Sequence, residues 1–155
     1  VLGNPIDHSL SPLIHQHFAH QTDIDLTYQK IIAENHTFAQ TVIDFFRQKG
    51  KGLNITLPFK QNAYALAQIH TERCQKAGAA NTLWMQQEKL HADNTDGIGL
   101  VRDLQRFITL QNIRILILGA GGAARGIISP LLDQNPACLT LANRSVTRFP
   151  EIKQA

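Results

Sequence analysis

The stretch "IRILILGAGGAARGIISPLL", residues 113 to 132, constrains the fold more than any other part of the chain. A short apolar run passes directly into glycines and then into apolar residues at helical spacing, which reads as a buried strand, a tight turn and a helix. The strand is expected over Ile113 to Leu118, the helix to about Asp133, and a second strand over Cys138 to Ala142. Together they make a βαβ half of a dinucleotide-binding fold. Gly119, Gly121 and Ala124 stand in G-x-G-x-x-A spacing, with Ala120, Gly122 and Ala123 between them. In that context the first glycine permits the turn, the second lets a pyrophosphate approach the backbone, and the alanine lets helix and strand pack closely.

The end of the second strand bears on the choice of nucleotide. An NAD site normally carries Asp or Glu there to accept hydrogen bonds from the ribose 2′-hydroxyl. Here the strand runs into Asn143, followed by Arg144, Ser145 and Arg148. A carboxylate would repel a 2′-phosphate, whereas guanidiniums grip it through charge-assisted bonds. The expected cofactor is NADP.

Upstream, the chain alternates strand and helix signals. "VLG" at the start reads as a strand end, and Pro12 suits the first turn of a helix that Ser11 would cap. A strand is expected over 26–32 ("LTYQKII"), an amphipathic helix over 37–50 closed by Gly50, and a strand over 52–56. Helices follow from Pro58 and over 71–78, then a hairpin turning around Gln86 to Glu88, then a helix over 96–109 with Ile98, Val101, Leu104 and Ile108 on one face. The expected class is α/β: a first domain over residues 1–95 with a mixed, mainly parallel sheet, and over 96–155 the first half of a Rossmann domain.

Composition narrows the function classes. With 43% apolar and 17% charged residues the chain reads as globular. A formal charge of +3, without a basic run or an aromatic stacking platform, gives no nucleic-acid surface and no polybasic membrane patch. Cys74 and Cys138 lie far apart with no metal spacing and read as reduced thiols, hence a cytoplasmic setting. The N-x-[ST] triplets at Asn35, Asn54 and Asn143 follow no signal peptide, and no apolar run approaches membrane length. His15, His17 and His20 share a helix but form no HExxH, so no metal is expected. The absence of an initiator Met suggests a fragment.

"LNITLPFKQNAY", residues 53 to 64, sets Asn54, Thr56 and Lys60 around a proline, more hydrogen-bonding capacity than a connecting loop needs. Ser9, Ser11, Asn81 and Asp96 likewise lie at ends of expected elements, where sites usually form. Singly, each has a structural reading as a cap, turn former or surface charge. As a set they suit a polar ligand. Lys60 could protonate an alkoxide developing on a carbonyl oxygen, with Asp96 the expected partner positioning it.

The ordered motifs "GNPIDHSLSP", "NITLPFK", "AANT", "NTDGIG", "GAGGAA" and "ANRS" resemble the shikimate dehydrogenase family along the whole chain. The resemblance implies NADPH-dependent reduction of 3-dehydroshikimate to shikimate, on the route to chorismate and aromatic amino acids. It implies that Ser9 and Ser11 bind the substrate carboxylate, that Asn54, Thr56, Asn81 and Asp96 hold ring hydroxyls, and that Lys60 and Asp96 form the acid/base dyad. Gly119 to Ala124 would take the pyrophosphate, and Asn143, Arg144, Ser145 and Arg148 the 2′-phosphate. Family members are longer, so the resemblance also implies missing C-terminal residues and a fragment without activity of its own. A quinate/shikimate enzyme using either nucleotide and a pocket without turnover are the alternatives. The sequence leaves the oligomeric state open, a homodimer included.

Overall fold

The computed structural model describes residues 1–145. Its first strand, β1 (Leu2–Gly3), runs into helix α1 (Ser11–Thr22), and strand β2 (Ile31–Ile32) returns parallel to β1. Helix α2 (Phe38–Arg47) and strand β3 (Gly52–Asn54) follow. Helix α3 (Lys60–Leu66), strand β4 (Ile69–His70) and helix α4 (Glu72–Ala77) lead to a hairpin of β5 (Thr82–Gln86) and β6 (Lys89–Asp93). Helix α5 (Asp96–Leu104) leads to strand β7 (Arg114–Leu118), helix α6 (Gly122–Leu132) and strand β8 (Cys138–Ala142). None of the helices among the described residues is long and apolar enough to cross a membrane.

The architecture is α/β with mixed pairing. One sheet has the order β3-β5-β6-β4, with β5 antiparallel to β3 and β6, and β4 parallel to β6. Ile55, just past β3, bridges parallel to Leu2, and β7 pairs parallel with β8 over all five residues. The longest ladder in the first part is the antiparallel hairpin, so the parallel pairs there are the shorter ones.

Two apolar clusters form, the smaller of them built partly from α5 itself. The larger contains Leu2, Phe38, Val42, Leu53, Phe59, Ala63, Cys74 and Leu83, with the Phe38 and Phe59 rings stacked 4.8 Å apart. The smaller gathers Val101, Leu110, Ile117, Ala124 and Leu131. Helix α2 shows how the sequence dictates this: Phe38, Val42, Phe45 and Phe46 recur at helical spacing and turn one face to the larger cluster. The left-handed residue after α2 is Lys49, at φ 66°, and not Gly50. Gly50 is needed for space, since a Cβ there would lie 2.2 Å from the Phe45 ring.

Several sequence expectations are corrected. The strand expected over 26–32 is reduced to Ile31–Ile32, because β1 offers only Leu2 and Gly3 for pairing; Tyr28 turns instead toward His15 and Asn54. Strand β4 was not anticipated, as two residues are too few to show alternation. The chain leaves α3 through an extended Ala67 and pairs Ile69 and His70 with β6. Ser11 does not cap α1. Leu10 occupies the cap position with helical dihedrals, which makes Ser11 the first helical residue. Its N–H donates to Ser9 Oγ at 3.2 Å. Helix α5 stops at Leu104, where the Leu104 carbonyl accepts from both Phe107 and Ile108 in a tightened turn.

The hairpin turn places Gln87 at φ 50° and Glu88 at φ 60°, the left-handed pair of a two-residue turn that favours Asn-Gly. Both side chains are exposed and give no packing in return. Replacing Glu88 by Gly relieves a conformation that disfavours a Cβ, partly offset by added freedom in the unfolded chain. We expect Glu88→Gly to stabilise by roughly 0.5–1 kcal/mol, read as a higher urea midpoint at unchanged slope. A lower midpoint would contradict this account of the turn.

Candidate active site

Lys60 is the first residue of α3 and Asp96 the first of α5, so two helix starts bring these side chains together. Lys60 Nζ donates to Asp96 Oδ2 at 2.6 Å, and both side chains are mostly withdrawn from solvent. The other carboxylate oxygen, Oδ1, accepts from Asn81 Nδ2 at 2.8 Å. Thr95, not Asp96, stands at the cap position of α5, which leaves the Asp96 carboxylate to these partners. Its place in the first turn also suits the positive end of the helix dipole.

From Asn81 the hydrogen bonds continue outward. Asn81 Oδ1 accepts from Thr82 Oγ1 at 2.9 Å, Asn54 Nδ2 donates to Thr82 Oγ1 at 3.4 Å, and Tyr28 OH donates to Asn54 Oδ1 at 2.6 Å. Tyr28 stacks on His15 of α1 with ring centroids 4.1 Å apart. Partial burial raises the Tyr28 hydroxyl above its ordinary pKa, and a hydrogen bond with Ser11 works in the opposite direction. Ser9 Oγ in turn donates to Ser11 Oγ at 3.1 Å. A continuous polar path therefore runs from Ser9 to Lys60.

Of the residues singled out from sequence, Ser9, Ser11, Asn54, Asn81, Lys60 and Asp96 lie on this path. Thr56 does not. The backbone switches partners at Ile55, whose N–H donates to Asn81, while the Thr56 N–H donates to Leu2 of β1. Thr56 accordingly lines a cleft of about 480 Å³ with Lys60, whereas Asn54 lines the neighbouring cavity beside Tyr28. Tyr28 and Thr82 were given no role from sequence. Thr82 sits in the noted "AANT" motif, but Tyr28 carried no signal beyond its place in an apolar stretch.

The glycine turn forms the opposite wall of the cleft, through Ala120, Gly121, Gly122 and Ala123. Gly119 adopts φ 109°, a conformation that favours glycine, and Gly121 precedes the first residue of α6. Cβ atoms at Gly119 and Gly121 would meet nothing within 4 Å, and one at Gly122 would lie 3.5 Å from Lys60 Cβ. The backbone is thus open to a ligand beside Lys60. Gly119 N–H donates to the Ala142 carbonyl at 2.7 Å, which sets the end of β8 next to the turn. There Asn143 Nδ2 donates to the Ser145 carbonyl at 2.7 Å and Arg144 is exposed. Arg148 lies outside the described residues.

Behind Asp96, Asp93 accepts from Thr71 Oγ1 at 2.6 Å and from Arg73 Nε at 2.7 Å. The Arg73 hydrogen bond holds the Asp93 carboxyl below the usual carboxylate range, against burial, which pushes it up.

The shikimate dehydrogenase substrate-binding domain family matches residues 1–83. The shikimate dehydrogenase (NADP(+)) of Legionella pneumophila (strain Corby) is 60% identical over 154 residues, covering 99% of this chain and 58% of the relative. The crystal structure of the Aquifex aeolicus shikimate dehydrogenase superposes with a TM-score of 0.92 at 29% identity, over 99% of this chain and 57% of that one. The Thermus thermophilus enzyme, solved with NADP(H) and shikimate, gives 0.88 at 28% identity, over 99% and 58%. The chain therefore spans a little over half the length of these relatives.

The depressed Asp93 pKa has a definite sign for stability. A carboxyl lowered in the folded state contributes stability above its unfolded value, about 3.9, and loses it as pH falls through that value and the folded one. Asp93→Asn should therefore flatten the acid-side loss of stability below about pH 4 relative to the parent, in urea titrations from pH 7 to 3. Parallel acid profiles would remove the Arg73–Asp93 pair from the account.

Proposed function

The chain belongs to the shikimate dehydrogenase family, and on that premise we propose that it carries the substrate pocket and proton-transfer pair of an NADP-dependent enzyme interconverting 3-dehydroshikimate and shikimate for chorismate and aromatic amino-acid biosynthesis. The observation that carries the reading is the 2.6 Å contact of Lys60 with Asp96, the latter held from its other oxygen by Asn81, directly across a cleft from the glycine turn. Residues 1–95 form the substrate domain and 96–155 the first part of the nucleotide domain. The two core clusters, the larger built from residues up to Ala92 and the smaller from residues beginning at Leu100, support that division.

The residues of the turn fit a dinucleotide. The N-terminus of α6 has no side-chain cap, and the turn before it leaves backbone open where a pyrophosphate would lie. Gly119, Ala120, Gly121, Gly122, Ala123 and Ala124 would hold it, with Asn143, Arg144, Ser145 and Arg148 around the adenosine 2′-phosphate. When bound, the nicotinamide supplies or accepts the hydride at the ketone carbon of the substrate. The chain's own residues manage the proton. Lys60 delivers one to the oxygen as the ketone becomes an alcohol, and takes it back in the reverse direction. Asp96 keeps the amine aimed into the cleft.

Recognition of a small polyhydroxylated acid has to come from hydrogen bonds, since it offers little apolar surface. Ser9 and Ser11 at the start of α1 take the carboxylate; Asn54, Thr56, Asn81 and Asp96 take ring hydroxyls. The free thiols Cys74 and Cys138 support a cytoplasmic setting.

In the full-length enzyme Lys60→Ala should lower kcat by about 10²–10⁴ with a smaller change in KM for shikimate, because proton transfer matters mainly in the transition state. Steady-state kinetics at neutral pH test this, and near-parental kcat would remove Lys60 from the chemistry. For the cofactor, kcat/KM should favour NADP over NAD by at least about tenfold, and the preference should shrink with salt as exposed charges are screened. Replacing Arg144 and Arg148 by Ala should raise KM for NADPH and leave that for NADH nearly unchanged. Equal kcat/KM for the two nucleotides would instead favour a dual-cofactor quinate/shikimate enzyme.

A further inference from the structure

We propose that Asn94 is a positioning residue that couples the seating of α6 to the geometry of the Lys60–Asp96 pair. Its carboxamide lies in the interior, only 2% exposed, and was given no role in binding substrate or nucleotide. Every direction it faces leads to something that matters for the pair.

Asn94 Oδ1 accepts the backbone N–H of Asp96 at 3.1 Å and so fixes the first turn of α5, from which the carboxylate projects. Asn94 Nδ2 donates to the Ala79 carbonyl at 2.8 Å. The next residue, Ala80, donates its N–H to the Lys60 carbonyl at 2.8 Å. One planar amide thus spans from the backbone of Asp96 to the peptide that anchors the backbone of Lys60. Its own N–H donates to Asp93 Oδ1 at 2.7 Å, within the Arg73 cluster, which leaves the side chain little freedom to tilt.

The third contact comes from the nucleotide side. A Cβ on Gly126 of α6 would lie 2.8 Å from Asn94 Oδ1 and 2.9 Å from Nδ2, closer than real Cβ atoms come. The helix backbone rests directly on the amide. α6 is also the helix that begins at the glycine turn, so any movement of the turn that carries α6 with it is felt first at Asn94. Since both polar ends of the amide are occupied, its displacement has to move the Asp96 N–H, the Ala79 carbonyl, or both. The separation of the proton-transfer pair would follow the docking of the nucleotide half.

The kinetic test rests on the proposed dehydrogenase activity; a crystallographic arm does not. In the full-length enzyme, Asn94→Ala and Gly126→Ala should each lower kcat at least about tenfold while KM for shikimate and NADP+ stays within about threefold, a split expected of lost positioning and not of lost binding. Because both act through one amide, the double variant should be no slower than Asn94→Ala alone, whereas independent structural damage would add. In crystals of either single variant the 2.6 Å Lys60–Asp96 contact should lengthen or break. Gly126→Ala leaves residue 94 an asparagine while crowding its amide, and reads the same coupling if Asn94→Ala does not fold. Parental kcat in a folded Gly126→Ala enzyme, additive losses in the double variant, or an unchanged Lys60–Asp96 contact would each overturn the inference. A parent enzyme that does not oxidise shikimate would overturn the functional reading alone, with the crystallographic contact still deciding the coupling.

Discussion

The structure depends on how closely α5 can approach α6. A Cβ on Gly97 would lie 2.3 Å from the Gly126 carbonyl and 2.5 Å from the Pro130 ring, so the two backbones touch only because residue 97 has no side chain. Pro130 contributes in a second way. Lacking an N–H, it cannot bond the carbonyl four residues earlier, which is that of Gly126. The oxygen freed within α6 is the one that Gly97 approaches. This contact brings together the two helices that supply Val101, Ala124 and Leu131 to the smaller apolar cluster, and α6 begins at the glycine turn across the cleft from Lys60. Residues 94–97 consequently serve both the packing of the helices and the placement of the carboxylate, and neither can change without the other.

The polar residues of the site come from element ends: Asn54 from the end of β3, Lys60 from the start of α3, Thr82 from the start of β5, and Asp96 from the start of α5. Element ends leave backbone groups unpaired, and side chains there find partners in one another. The resulting chain satisfies the buried polar groups: none of the buried side-chain nitrogen or oxygen atoms among the described residues is left without a partner. That economy matters because an unpaired polar group in such a setting costs about 1–3 kcal/mol.

The Rossmann segment was legible because its signal is local. Strand, glycine turn and helix occupy contiguous residues, and the structure places β8 at the residues the sequence indicated. The hairpin and the helix ending at Gly78 were legible for the same reason, the latter through a left-handed glycine at φ 55°. The failures are equally physical. β1, β2 and β4 are two residues long, and a strand that short is defined by its partner and not by its own pattern. Within the site, Lys60 and Asp96 could be paired from their chemistry, but Tyr28 could not be joined to Asn54 because that contact links an irregular segment to a distant strand end. Asn94 was visible only as part of a motif. Its importance comes from contact with Gly126, which no spacing in the sequence encodes.

The two asparagines of the site are not equivalent, although sequence treats them alike. Asn81 donates from Nδ2 to Thr95 Oγ1 and Asp96 Oδ1, both at 2.8 Å, and accepts at Oδ1 from the Thr95 N–H and the Thr82 hydroxyl. A carboxamide has two donors and two lone pairs, so Asn81 is saturated by the protein itself. A ligand hydroxyl can bond Asn81 only by displacing one of these partners, and displacing Asp96 would release the carboxylate that orients Lys60. Asn54 is constrained at one end only: Tyr28 fills Oδ1 at 2.6 Å, while Nδ2 makes a single long bond of 3.4 Å. Tyr28 thereby fixes which way the Asn54 amide faces and leaves its donor end free to turn toward a ligand. Of the pair, Asn54 keeps a donor with room for a new partner, whereas Asn81 can meet a ligand hydroxyl only in exchange for a bond it already makes.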